Sequence, residues 1–421
     1  MQKVVTNAKG LVAVAVVSFF AAEFAHLFRE AIRRFVELAY GNKDATAALA
    51  TTRIIAPVVF ITLGILIARR INLWAESLEG GRIGLKPIEK AARGEGPGPS
   101  LRGTLLKSVS TLAACVPGTS LGRESAILET SGAVGFSLAR VIGVDRVELA
   151  CAGIAAGFAS AYHAPFGAVA YVGGHIGVAR NKRAMVYAVL GAAAGNWFTV
   201  HHLGGHPIFP GSHAAVRTSV ILGLVAVVPA LVGSRLFVRV REEMPGLRVV
   251  RENPIVFLVA GVVVSVVTVL IAPLSAGNGM EAIRHVAVTG SIAAACSLGI
   301  GKLLATSATL GAKAPGGVFA PTLAVSAGWI LATYVALESF GVRLPGNHWD
   351  GIVIGMAAGL SVGLHAPVLA GIVVAEMAGQ LSLVPFTAAA ALIAHAIIVR
   401  IDRSEESRDI AVPEPMHTED A

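Results

Sequence analysis

The stretch Gly118-Thr119-Ser120-Leu121-Gly122-Arg123-Glu124-Ser125-Ala126 sets an arginine and a glutamate inside an otherwise apolar region. The run before it, 109–116, carries no charge, and the run after it, 126–139, carries only Glu129. A carboxylate in a bilayer core costs about 2.5 kcal/mol or more, so such residues line cavities or pathways. Gly118 and Gly122 point to broken backbone, with a helix restarting near Ser125. Glu124 would then sit where unpaired N–H groups and the positive end of a helix point. That end attracts an anion. A carboxylate tethered there can take the anion's place and act as a plug. A plainer alternative is that Glu124 caps its own helix and Arg123 snorkels to an interface.

The composition decides the setting. Of the 421 residues 55% are hydrophobic and only 14% charged, with mean hydropathy +0.71. Soluble domains carry about 25% charged residues, so this is an all-α polytopic membrane protein. The net charge of +8 is scattered over loops between apolar runs, which argues against a nucleic-acid partner. Cys115, Cys151 and Cys296 all lie in apolar runs and form neither a disulfide framework nor a metal pattern. No cofactor is expected. Residues 1–10 are polar and 11–22 run into an amphipathic helix, so no cleavable signal peptide is expected.

The apolar segments read as 11–38, 54–68, 104–116, 125–142, 147–161, 165–178, 184–200, 218–238, 254–271, 292–305, 318–337, 352–364, 367–383 and 385–401. A simple spanning helix needs about 20 apolar residues, and several of these are shorter and punctuated by Gly or Pro. Broken helices are tolerated at membrane depth only when buried in protein or lining an aqueous cavity. The loops 69–102, 180–183, 235–251 and 400–403 are basic, whereas 201–213 has no Lys or Arg. The positive-inside rule puts the basic loops and both termini in the cytoplasm. His201, His202, His206 and His213 read as a solvated outer loop, with metal binding as the sharper alternative.

The two halves of the chain repeat. Gly153-Ile154-Ala155-Ala156-Gly157 matches Gly355-Met356-Ala357-Ala358-Gly359, and His163-Ala164-Pro165 matches His365-Ala366-Pro367, both 202 residues apart without a gap. A Gly-rich break precedes each copy, 118–124 in the first half and 311–321 in the second. Repeats with broken helices that meet at mid-membrane mark transporters, with the binding site at the repeat interface. The expected division is a cytoplasmic N-terminus over 1–10, membrane repeats over 11–215 and 216–402, and a disordered cytoplasmic tail over 403–421. The N–H groups of Val318 and Phe319 would open a second helix whose tip faces Glu124. The two repeat histidines are expected to cap helix junctions. An intramembrane metalloenzyme would need His-Glu-x-x-His or acidic partners, which are absent beside them.

With these pieces in hand the chain resembles the CLC family of chloride channels and proton-coupled chloride exchangers. The family's Gly-Arg-Glu-Gly-Pro resembles Gly122-Arg123-Glu124-Ser125-Ala126, and its Gly-x-Phe-x-Pro matches Gly317-Val318-Phe319-Ala320-Pro321. The stretch from Ala366-Pro367 to Glu376-Met377 also resembles a late family helix. The resemblance implies an inverted-repeat fold, a homodimer with a pore in each subunit, and Glu124 as the gating glutamate. It implies an anion site formed by Gly122, Arg123, Glu124, Gly317, Val318 and Phe319. The family's Gly-Ser-Gly-Ile-Pro motif falls near residues 82–87, which implies Ile83 and Gly84 at the inner anion site with Ile83 replacing the serine hydroxyl, and Lys86 as a cation at the inner mouth or a solvated loop lysine. The exchangers' inner proton-transfer glutamate falls at His175, which would serve as a proton relay or simply end a helix beside the basic loop 180–183. The family's late tyrosine has no counterpart after Ile401, and none of Tyr40, Tyr162, Tyr171, Tyr187 and Tyr334 lies late enough to replace it.

The expected function is passive or weakly proton-coupled anion transport, with chloride the default substrate, in a bacterial inner membrane. The alternatives are coupled proton/chloride exchange through His175, and fluoride selectivity. An enzyme is not expected, because no nucleophile–base pair or metal set stands at suitable spacing.

Overall fold

The computed structural model describes residues 8–43, 47, 49, 54–205, 208–209, 216–243, 253–344 and 348–411. The chain opens with α1 (Ala8–Tyr40), α2 (Ile55–Glu79), the short α3 (Lys86–Ala92) and α4 (Leu101–Cys115). Next come α5 (Glu124–Ile142), α6 (Arg146–Tyr162), α7 (Pro165–Gly174) and α8 (Lys182–Trp197), the last continued by a π turn, Phe198–His202. The second half holds α9 (Val216–Glu243), α10 (Pro254–Ile271), α11 (Met280–Thr289) and α12 (Ile292–Cys296). A π turn, Ser297–Gly301, joins α12 to α13 (Lys302–Gly311). The chain then runs through α14 (Phe319–Ser339), α15 (His348–Leu364), α16 (Pro367–Met377) and α17 (Val384–Ala411). Among the described residues seven helices are long and apolar enough to cross a bilayer, and α15 and α16 are shorter and apolar.

The repeat is visible in the backbone. Both bounds of α6 and α15 are 202 residues apart, as are the first residues of α7 and α16 and of α8 and α17. His163 and His365 both take left-handed φ, 54° and 51°. Ala164 and Ala366 then repeat the same turn, at φ −130° and −129°. A residue before Pro avoids the helical region, so His-Ala-Pro ends one helix and aims the next in both halves.

Each half is built round one helix buried on every side. The described residues of α6 from Glu148 onward, and of α15 from Trp349 to Gly363, are buried without a break. A helix apolar all round belongs at the centre of a bundle. α6 packs against α1, α5 and α8, while α15 packs against α9, α14, α16 and α17. Glycine permits the close crossings. A methyl on Gly153 would strike the Ser131 carbonyl of α5, and one on Gly191 the Ala152 carbonyl of α6. Small residues at crossings are how helices approach when lipid is as apolar as their side chains. The two halves also meet at α7 and α16, where Glu376 accepts bonds from the N–H groups of Phe166 (2.9 Å) and Gly167 (2.6 Å).

Several boundaries differ from the sequence reading. α2 runs past Arg69–Arg70 to Glu79, because no breaker intervenes before Gly80, and the Arg69 guanidinium caps the Ala312 carbonyl at 3.3 Å. α7 and α16 stop earlier than expected, ahead of Gly177 and Gly379, both left-handed. α3 and α11, too short for a spanning pattern, were not expected. α17 is helical through residues 403–411, the first part of the expected tail. Residues 1–7 and 412–421, His206 and His213, and the expected repeat boundary at 215 lie outside the described residues. His202 pairs with Glu23 at 3.1 Å, tying the end of α8 to α1.

Replacing Gly153 by Ala should overpack the α5–α6 crossing by about 1–3 kcal/mol and lower the unfolding midpoint of the purified protein in detergent. Gly174→Ala, where nothing lies within 4 Å of the added carbon, should leave that midpoint in place. Equal midpoints for the two variants would contradict this packing.

Candidate functional site

α4 ends at Cys115, and α5 begins at Glu124 after a break that turns through the left-handed Gly118. In the second half α13 ends at Gly311, and α14 begins at Phe319 after a break that turns through the left-handed Lys313. The two breaks meet. Gly122 donates its N–H to the Gly317 carbonyl at 2.9 Å, and Gly317 donates back to the Gly122 carbonyl at 2.7 Å. This reciprocal pair is an isolated antiparallel bridge. It brings the opening turns of α5 and α14 together, two residues beyond the bridge on either side. The first N–H groups of a helix have no intrahelical acceptor, so this junction concentrates free donors and positive helix ends.

A third segment closes the junction. Gly277 donates to the Gly118 carbonyl (3.1 Å) and accepts from Leu121 N–H (3.2 Å). Beside it, Ser120 and Thr306 hydroxyls bond at 2.7 Å. The Phe319 ring lies 4.4 Å from the Tyr162 ring and 5.8 Å from Phe158, centroid to centroid.

Glu124 is buried, with 6% of its surface exposed. Its Oε1 accepts from Asn278 Nδ2 at 2.7 Å and lies 3.8 Å from Arg123 Nε. Its Oε2 is buried with no hydrogen-bond partner. The residue lines a cavity of about 620 Å³. Five cations line that cavity (Arg29, Arg33, Lys43, Arg123, Arg284) against three carboxylates (Glu30, Glu124, Glu281), so its field favours an anion.

The family model described as voltage-gated chloride channel matches residues 60–398. The chain belongs to the CLC family. Among curated relatives, it is similar to the voltage-gated ClC-type chloride channel ClcB of Salmonella typhimurium, 28% identical over 299 residues, which are 67% of this chain and 69% of the relative. ClcB of Escherichia coli O81 is 25% identical over 306 residues, 70% of this chain and 72% of the relative. Among solved structures, a slow cyanobacterial Cl⁻/H⁺ antiporter superposes with TM-score 0.76 at 18% identity, over 95% of this chain and 99% of the other. A CLC-type fluoride/proton antiporter superposes with TM-score 0.68 at 16% identity, over 93% and 97%. At those identities the two structures show the shared fold. The protein is thus an integral, multi-pass member of an anion-transport family.

Within this CLC fold the residues expected at the site divide into two groups. Gly122, Arg123, Glu124, Gly317, Val318 and Phe319 come together at the bridged junction. Ile83 and Gly84 do not line the cavity that holds Glu124. Ile83 packs on Gly103, and the left-handed Gly84 lies against the Lys107–Glu129 ion pair, whose N–O distance is 2.8 Å. Glu129 sits five residues beyond Glu124 on α5, about 7 Å farther along the axis. Lys86 is exposed, and Lys107 lies against Gly84. His175 is exposed at the end of α7, its ring stacked on Tyr171 at 4.8 Å. Tyr171 in turn contacts Phe158 at 5.1 Å, so aromatic rings run from Phe319 to His175.

Sequence reasoning missed Asn278, Lys302 and the Lys107–Glu129 pair. It also sought a tyrosine only late in the chain, whereas Tyr162 of the first half reaches Phe319. Lys302 is fully buried, and its ammonium donates to the Ser275 carbonyl at 3.0 Å and to the Gly277 carbonyl. A lone charge in the apolar run 292–305 was the available signal, the same one that picked out Glu124.

The bridge makes an asymmetric prediction. A methyl on Gly122 would lie 2.6 Å from the Gly317 carbonyl oxygen, whereas one on Gly317 meets nothing nearer than 3.5 Å. Losing the two backbone bonds is worth about 1–3 kcal/mol. Gly122→Ala should therefore cut anion efflux from vesicles by about tenfold or more, and Gly317→Ala should retain most of it.

Proposed function

We propose that this protein carries chloride across a bacterial inner membrane, channel-like or with weak proton coupling, and that Glu124 is its gate. The observation that carries the reading is a buried carboxylate, one oxygen unpartnered, at the meeting point of two helix openings. Helix N-termini supply partial positive charge without a full counter-charge, which suits a small monovalent anion that must both enter and leave. Ionised Glu124 competes with that anion. Protonation, or displacement by an arriving anion, moves the side chain aside. The two membrane repeats span 11–215 and 216–402, both termini are cytoplasmic, and the cavity beside Glu124 is the outer one. The working form is a homodimer with one pathway per subunit.

A second reading, stoichiometric proton/chloride exchange with His175 as the inner relay, is favoured by the aromatic contacts that link Phe319 to His175. The structural neighbours described as Cl⁻/H⁺ and F⁻/H⁺ antiporters lend it support.

Flux in proteoliposomes should rise as pH falls, and Glu124→Gln should remove that dependence and hold flux at the acid level. A Glu124→Gln profile that follows the wild type would refute the gate. A chloride gradient imposed on the same vesicles should drive little proton uptake. Sustained uphill proton movement that is lost in His175→Ala would establish the exchanger instead. Parallel measurements with chloride, fluoride and nitrate give the selectivity.

A further inference from the structure

The segment 275–279 joins the short turn Pro273–Ser275 to α11 and carries the one side chain that hydrogen-bonds Glu124 among the described residues. Its backbone is fixed from two directions. Gly277 is bonded to the first break through Gly118 and Leu121. From the other side the Lys302 ammonium holds the Ser275 and Gly277 carbonyls. Lys302 is fully buried at the start of α13, directly after the π turn Ser297–Gly301. A π turn inserts a residue and re-aims the side chains beyond it, and such turns occur often at functional sites. The left-handed Gly279 lies between Ala324 and this lysine: a carbon there would lie 2.6 Å from Ala324 Cβ and 3.2 Å from Lys302 Cε.

Asn278 is buried, and both ends of its amide are committed. Its Oδ1 accepts from Met280 N–H at 3.2 Å, at the start of α11. That bond orients the amide so that Nδ2 faces Glu124 Oε1 at 2.7 Å. An ionised carboxylate is acceptor-only, and a hydrogen bond to it is about twice as strong as one between neutral groups. The Asn278 bond is therefore strongest when Glu124 is charged and weakens when a proton arrives.

We propose that Asn278 is the latch of the Glu124 gate, and that Lys302 is the post on which the latch is mounted. The proposal rests on the gate reading and adds what sets the pH at which the gate releases. Asn278 favours the ionised, seated carboxylate, so release waits for more acid than it otherwise would. The other titratable or charged groups facing this site are Arg123 beside it, His26, Arg29, Glu30 and Arg33 of α1 with Lys43 beyond it, Cys115 of α4, Tyr162 of α6 with His163 after it, Glu281 and Arg284 of α11, and Lys302 of α13. Glu281 of α11 acts on Arg29 and Lys302. All of these stay in place when Asn278 alone is changed, so the change reads out the single hydrogen bond.

The experiment is the pH profile of chloride flux in vesicles holding the full chain, with Asn278→Ala, Asn278→Asp and Glu124→Gln measured alongside the wild type. The midpoint is independent of how much protein is active, so partial misfolding does not obscure it. Losing a hydrogen bond to a charged group corresponds to about one pH unit, so the Asn278→Ala midpoint should move up by about that much. Asn278→Asp keeps an acceptor for Met280 N–H but sets a carboxylate against Glu124, and its midpoint should move at least as far. A purely structural role would lower flux and leave the midpoint still. Midpoints unmoved in both Asn278 variants, with a flat Glu124→Gln profile, overturn the latch and leave the gate standing. A Glu124→Gln profile that keeps the wild-type midpoint overturns the gate and the latch with it.

Discussion

The fold depends on two hydrogen bonds between Gly122 and Gly317. A helix broken inside hydrocarbon leaves peptide groups that water cannot reach, each costing several kcal/mol if unpaired. In this protein two such breaks bond to one another, and Gly277 pairs with Gly118 and Leu121 of the first. The arrangement is economical, because the pairing that makes each break tolerable also draws the two helix openings together. Glycine is required on the first side of the bridge, where the partner's carbonyl occupies the place of a side chain.

The buried charges follow the same logic. A membrane interior keeps a charge only when it is partnered or faces an aqueous cavity. Lys302 is held by backbone carbonyls, Glu129 by Lys107, and Glu376 by two N–H groups at the start of α7. Glu124 differs. It has one strong bond, a neighbouring arginine whose Nε is itself without a hydrogen bond, and one oxygen with nothing to hold. Glu148 likewise has one buried oxygen without a hydrogen bond while its other oxygen pairs with Arg183, and of the two Glu124 is the one that lines the cavity at the junction.

Much of this was legible in the chain. The 202-residue interval, the His-Ala-Pro junctions and the two glycine-rich breaks each correspond to a feature of the backbone. They could be read because they concern backbone conformation, which local sequence specifies. Partnerships across the fold could not be read. Nothing near Asn278 in sequence names Glu124, 154 residues away, and nothing near Gly84 names Lys107 and Glu129. Likewise nothing near Tyr162 in sequence names Phe319, whose ring it contacts. The short α3 and α11 escaped because periodicity needs more turns than they possess. The end of α2 at Glu79 was set by the next glycine rather than by where hydrophobicity fades.

The bridged glycines also expose an inequality between the halves. Two residues past Gly122 stands an acid, and two residues past Gly317 stands a phenyl ring. Likewise Glu376 has Gly174 at the matching place one repeat earlier. The duplicated framework has no built-in sense of direction, but its decoration does. At the bridged junction one helix therefore opens on a carboxylate and the other on a phenyl ring. A near-symmetric backbone thus carries one-sided chemistry, with Glu124 of the first half facing no acidic counterpart across the bridge.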